Sequence, residues 1–256
     1  MAVPNTIQRA LADRSIEGRS CLEAGAGVGN ATTGLLEAGA AAVYAITNEG
    51  SHARTVRDRI GDDARASILL ADLRSIPLPD DSVDVITAHA LFNVVPADAA
   101  TPIATELTRV VAPGGTLVID DYAPIAEADP VRRLFAVENA AAELADGRPA
   151  LTFYPADGLR RLFAGHGWHH DRTETILEPV PWTADLLEAH ADVVREYATD
   201  LPSELADPLV SRADRLVDEI GSSEVGTMYS LALEYDGSVP EHVDALESPG
   251  DRYEQL

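Results

Sequence analysis

Between Ser20 and Asp120 the chain switches back and forth between short apolar runs and segments with helical spacing. The apolar runs are Arg19–Glu23, Ala42–Thr47, Ser67–Ala71, Ser82–Ala88 and Thr116–Asp120. The stretches 31–39, 50–60 and 98–111 carry apolar residues three and four apart, and the last is closed by Pro113-Gly114-Gly115. Such alternation predicts a parallel sheet with crossover helices, because parallel neighbours cannot be joined by a tight hairpin. The runs lack strict period-two patterning, as expected of strands covered on both faces. In sheets of this kind ligands sit outside the carboxyl ends of the strands. The loops after residues 23, 47, 71, 88 and 120 are therefore expected on one functional rim.

The first of these loops is the most distinctive. Glu23-Ala-Gly25-Ala26-Gly27-Val-Gly29 places glycine at alternate positions, which lets the backbone turn sharply and lets a ligand approach without meeting a Cβ. The dinucleotide fingerprint needs glycine or alanine at a position held here by Asn30 or Thr32, depending on the starting glycine, so a nicotinamide cofactor is disfavoured. A phosphate-binding loop ending in Gly-Lys is impossible, since all 19 basic residues are arginine and the chain has no lysine.

Charge narrows the partners. With 43 Asp+Glu the formal net charge is −24, which repels phosphate backbones and anionic membrane surfaces. Nucleic acid and membrane are therefore not expected as partners. The 46% hydrophobic content excludes a disordered acidic tail, and the surface reads as a carboxylate-dense, halophile-type one suited to concentrated salt. A single cysteine, Cys21, excludes an intramolecular disulfide and a cysteine-based zinc cluster, and no metal site is expected. No apolar run is long enough to span a membrane and the first residues lack a signal-peptide core, so a cytoplasmic location is expected.

Leu22-Glu-Ala-Gly-Ala-Gly-Val-Gly29 resembles the first motif of the class I S-adenosylmethionine-dependent methyltransferases, a hydrophobic residue followed by (Asp/Glu)-x-Gly-x-Gly-x-Gly. The segments Ala71–Ile86 and Glu106–Ile119 are similar to that family's adenine-binding acid through strand four, and to its helix, Pro-Gly-Gly turn and fifth strand. The resemblance implies S-adenosylmethionine as cofactor. It implies that Glu23 accepts a hydrogen bond near the methionine amino group, that Gly25, Ala26, Gly27 and Gly29 run under the methionine and ribose, and that Asp72 and the Leu73 N–H meet adenine. An alternative reading of Glu23 is support of the following helix's dipole, and of Asp72 an ordinary turn acid. The family usually ends its second strand with an acid that grips both ribose hydroxyls. Here Thr47 and Asn48 stand at that place and neither is a bidentate carboxylate, with Glu49 next in line.

The loop after strand four, Ala88-His-Ala-Leu-Phe-Asn-Val-Val-Pro96, lacks the Asn/Asp-Pro-Pro-Tyr/Phe motif of methyltransferases acting on nucleic-acid bases. His89 is read as a cofactor neighbour and a candidate base. Asp121 and Tyr122, after strand five, are candidates to touch the acceptor, Tyr122 as the second catalytic candidate. His166, His169 and His170 match no metal spacing and read as a turn.

The expected fold is a doubly wound, Rossmann-like, seven-stranded, mostly parallel sheet with an antiparallel last strand. Its last two strands are expected at 168–178 and 224–235, with a helical insertion at 183–220 that covers the site or forms a homodimer surface. The domain plan is one domain over 1–256: a cofactor half (1–125), a substrate half (126–240) and a loose tail (241–256). The expected activity is methyl transfer to a small-molecule acceptor. A protein methyltransferase and a non-catalytic, S-adenosylmethionine-binding regulatory module remain as alternatives.

Overall fold

The computed structural model describes residues 3–238, so the tail expected at 241–256 lies outside the described residues. The first half runs α1 (Asn5–Leu11), β1 (Ser20–Ala24), α2 (Asn30–Glu37), β2 (Ala42–Thr47), α3 (Gly50–Ile60), β3 (Ala66–Leu70), β4 (Val83–His89), a 3-10 turn (Phe92–Val94), α4 (Ala97–Val110) and β5 (Val111–Tyr122). The second half adds α5 (Pro130–Asp146), α6 (Ala156–Ala164), β6 (Trp168–Leu177), β7 (Pro181–Trp182), α7 (Ala184–Ala198), α8 (Ser203–Ile220), β8 (Ser223–Glu224) and β9 (Met228–Tyr235).

Seven strands form one sheet in the order β3-β2-β1-β4-β5-β9-β6. The first five are parallel, and β9 runs antiparallel to both β5 and β6. Strand order reverses between β1 and β4, which makes the crevice outside their carboxyl ends the switch point of the sheet.

The sheet is covered on both faces, as its unbroken apolar strands require. Leu22, Ile86, Leu117 and Leu231 pack with α4 and α6 on one face, while Cys21, Val43 and Val85 pack with Ile7, Leu11 and Leu35 of α1 and α2 on the other. A separate core joins α5, α7 and α8 to Ile125, Ile176 and Met228. Those three residues mark the outgoing ends of β5 and β6 and the incoming end of β9. The helical layer thus sits on the same rim as the glycine turn.

Several boundaries differ from the sequence expectation. The first helix stops at Leu11, and Ile16 is buried from the linker that follows it. The Pro113-Gly114-Gly115 turn lies inside the strand: Val111 already pairs with Val83, and the register shifts before Thr116 meets Val85. The strand expected at 224–235 is two pieces. Gly226 at φ +81° breaks it, so that β8 pairs with β7 and only β9 joins the main sheet. On α8, Leu216 is buried, whereas Leu205 in the first turn is 44% exposed.

Candidate active site

β1 delivers Glu23 and Ala24 to the switch point and the chain then turns through three glycines, all at positive φ: Gly25 (+75°), Gly27 (+47°) and Gly29 (+76°). The turn is anchored by the Ala26 N–H, which donates to Ile46 O at 2.7 Å, and by the Gly29 N–H, which donates to Ala26 O at 2.6 Å. The glycines are not equivalent. A Cβ at Gly25 would lie 2.7 Å from Leu91 Cδ1, and one at Gly29 3.3 Å from Val56 Cγ1, whereas one at Gly27 would meet nothing nearer than 3.9 Å. A Cβ at Gly25 or Gly29 would press on a neighbouring side chain, whereas Gly27 has room for one.

Glu23 is buried, and its carboxylate holds the start of α2. The Ala31 and Thr32 N–H groups donate to it at 3.2 and 2.8 Å, and the Thr32 hydroxyl donates as well. Four free N–H groups open every helix, and a carboxylate there is favoured by the dipole. The helix-support reading of Glu23 therefore describes the observed contacts. Burial nevertheless pushes this carboxyl up to about 7, against the pull of those hydrogen bonds and of the neighbouring His89.

The register carries this polar position across the sheet. Glu23 pairs with Thr87, and two residues further along β4 His89 pairs with Asp120. His89 Nδ1 lies 3.5 Å from Asp120 Oδ2. Asp121 Oδ2 accepts from the Phe92 N–H at 2.9 Å. Along this rim Thr87 Oγ1, His89 Nδ1, Asn93 Oδ1, Asp120 Oδ1 and Asp121 Oδ1 are buried without a hydrogen-bond partner. An unpaired buried polar group costs about 1–3 kcal/mol, so a concentration of them at one place calls for a functional reason. Tyr122 is half-buried, with its ring 5.5 Å from that of Trp182.

The remaining expected residues lie on the neighbouring loops. Thr47 is buried at the end of β2, where its hydroxyl accepts from the Glu49 N–H at 3.2 Å, and Asn48 and Glu49 are exposed. Asp72 is exposed and its carboxylate is gripped by the Arg74 guanidinium at 2.6–3.0 Å, which holds it below the usual range, while Leu73 is buried beside it. A cleft of about 490 Å³ opens between Glu49 and the carboxyl ends of α5 and α7, lined by Asp146, Glu196, Tyr197 and Asp200. His166, His169 and His170 do not converge: His169 pairs with Asp236 at 3.1 Å and His170 with Thr173 at 2.9 Å.

Two groups escape the sequence reading. Thr87 looks like one more residue of an apolar strand until register sets it beside Glu23, and Asn93 like a loop residue until the Thr152 N–H is found on its carbonyl at 2.6 Å. In the helical layer, Glu138 is 3% exposed and bonds His190 Nδ1 at 2.7 Å, with Phe135 packed against the imidazole.

Comparison with known proteins agrees with this architecture. Residues 22–119 match the family model described as a methyltransferase domain. An uncharacterised methyltransferase of Geobacillus thermodenitrificans is 30% identical over 154 residues, 59% of this chain and 69% of that one. The demethylmenaquinone methyltransferase of Clavibacter sepedonicus is 34% identical over 108 residues, and the match spans only 42% of either protein. In structure, an S-adenosylmethionine-dependent methyltransferase from Mesorhizobium loti superposes with a TM-score of 0.55 at 14% identity, covering 89% of this chain and 95% of that one. The chain belongs to the methyltransferase family, in its class I, S-adenosylmethionine-dependent form.

Proposed function

We propose that the protein transfers a methyl group from S-adenosylmethionine to a small-molecule acceptor that is neutral or cationic. The observation that carries this reading is the glycine cradle at the β1/β4 switch point, whose Gly27 position faces open space. S-adenosylmethionine supplies, when bound, a methyl group already activated on a sulfonium sulfur. The chain's tasks are then alignment and exclusion of water. Gly25 to Gly29 lay their backbone under the methionine and ribose. Glu23 fixes the α2 N-terminus against β1 and so sets the shape of that turn. Thr47 keeps its hydroxyl proton free to donate to a ribose oxygen, since the Glu49 N–H already occupies it as an acceptor. Asp72 and the Leu73 N–H face adenine, with Arg74 orienting the carboxylate. His89, beside Asp120, offers a ring nitrogen to the methionine end.

The acceptor class rests on charge and on family. The surplus of acid disfavours an anionic acceptor. The demethylmenaquinone methyltransferase among the relatives, named for a small-molecule substrate, supports a small acceptor here. Titration calorimetry in molar salt with S-adenosylmethionine, S-adenosylhomocysteine and NAD tests the reading. Binding of the first two and not the third is expected, and failure of both to bind ends the proposal.

A further inference from the structure

The helical layer carries a buried acid that has no part in holding the cofactor. Glu138 of α5 is buried, and its Oε2 lies 2.7 Å from Nδ1 of His190 on α7. Phe135 and Trp182 pack on the imidazole, with ring centroids 4.7 and 6.0 Å away. Apolar residues in place of a buried polar pair are often neutral or stabilising, so stability alone does not account for this one. Its geometry is that of a positioned base. A carboxylate that accepts the Nδ1–H fixes the tautomer and leaves the lone pair on Nε2. That nitrogen has no hydrogen-bond partner among the described residues and is not enclosed, and the side chain is 22% exposed.

The course of α7 sets this imidazole over the switch point. Just before the helix begins, the Trp182 ring lies 5.5 Å from that of Tyr122, at the end of β5. At its far end Tyr197, Thr199 and Asp200 line the cleft together with Glu49, which follows β2. The helix, 15 residues and about 22 Å long, therefore crosses the rim from β5 to β2. Only β4 and β1 lie between those strands. His190 stands in the middle of α7 and shares one flank with Val193 and Tyr197, both of which line the cleft. The opposite flank is turned to α8, where Arg195 meets Asp214 at 2.7 Å. We infer that His190 is the catalytic base on the acceptor side, that Glu138 is its positioning residue, and that the acceptor is a phenol or enol, whose acidic hydroxyl an imidazole deprotonates near neutral pH. The acceptor's O–H bond breaks, its proton joins the Nε2 lone pair, and the electron pair of the bond stays on oxygen. Glu138 then faces an imidazolium across the 2.7 Å bond and stabilises it. The inference rests on the methyltransferase reading above and adds the base and the chemical class of the acceptor.

The experiment uses the whole chain in molar salt with saturating S-adenosylhomocysteine, whose binding also reports that each variant folds. Long-range nitrogen–proton NMR in mildly alkaline buffer reads the His190 tautomer. The Nδ1–H form is expected in the parent and in Glu138→Gln, whose amide oxygen still accepts, and the Nε2–H form in Glu138→Leu. The acceptor probe is para-nitrophenol, titrated at a pH below its own pKa, where the free probe is mostly neutral. Bound to the parent, it is expected to show the phenolate absorbance band. That band is expected to be lost in His190→Asn and weakened in Glu138→Gln while S-adenosylhomocysteine still binds. A bond that only ties α5 to α7 would leave the band unchanged in the folded variants. An Nε2–H tautomer in the parent, a probe that binds as the neutral phenol or not at all, or a phenolate band that survives in folded His190→Asn overturns the inference. Should His190→Asn fail to fold, Glu138→Gln decides on the same band. If S-adenosylhomocysteine binds and the probe stays neutral, the inference falls and the methyltransferase reading stands. If S-adenosylhomocysteine does not bind the parent, the methyltransferase reading falls and takes this assignment with it.

Discussion

A side chain added at Gly25 and one added at Gly27 make different demands. Both positions have positive φ, at a cost of about 1–3 kcal/mol for a residue with a Cβ. Only at Gly25 does the new atom also strike the protein, 2.7 Å from Leu91. Gly27→Val should therefore keep a native circular dichroism spectrum and weaken S-adenosylhomocysteine binding at least tenfold, whereas Gly25→Ala should lower the melting temperature further. Unchanged affinity in Gly27→Val would place the cofactor elsewhere. Glu23 gives a pH prediction. Its carboxyl is raised by burial from 4.5 to about 7, so between those values the unfolded chain has lost a proton that the native state retains. Stability from this group therefore falls as pH rises across that window and is level above it, by at most about 3 kcal/mol. Urea denaturation at pH 5 and pH 7.5 should show a smaller difference in Glu23→Gln than in the parent. Asp121, raised in the same direction, leaves a residual slope.

At the scale of the element, α2 carries Gly34 in its interior, where helix propensity alone favours alanine by about 1 kcal/mol. Packing reverses the sign. A Cβ at Gly34 would sit 2.8 Å from Ile7 Cγ2 and 3.3 Å from Val3 Cγ1, so it would push α1 off the sheet. Gly34→Ala should lower the melting temperature and speed amide exchange in Gln8–Leu11, and a higher melting temperature would show that α1 yields freely. The same contrast between local and distant causes decides what the sequence discloses. α5 announces itself by Asp129, whose side chain accepts from the Val131 N–H, by Pro130 in its first turn, and by Gly147 at φ +76° after its end. Thr183 does the same for α7. The apolar strands β1 to β5 were likewise readable, and so was the glycine turn. What stayed hidden depends on partners far along the chain. The pairing of β8 with Pro181–Trp182, the place of Thr87 beside Glu23, and the meeting of Asn93 with Thr152 are set by register and by loop crossings, to which local composition is blind.

For the whole molecule, the absence of lysine has a structural counterpart. Arginine's fork serves several acceptors at once, and here it does. Arg109 joins Ile76 O, Leu78 O, Asp80 and Glu106, while Arg195 gathers Glu188, Asp192 and Asp214. Nineteen such cations face 43 carboxylates, and the surplus repels itself in dilute buffer. The melting temperature should rise between low and molar salt, and a flat response would contradict the halophile-type reading of the surface. The strand order has a different consequence. β9, the last strand of the described residues, lies between β5 and β6, which precede it. A ribosome therefore releases β5 and β6 before the strand that separates and joins them. Until Met228–Tyr235 emerges, β5 offers an open edge to any passing chain, so the nascent protein has its greatest exposure to misassembly just before synthesis of its sheet is complete.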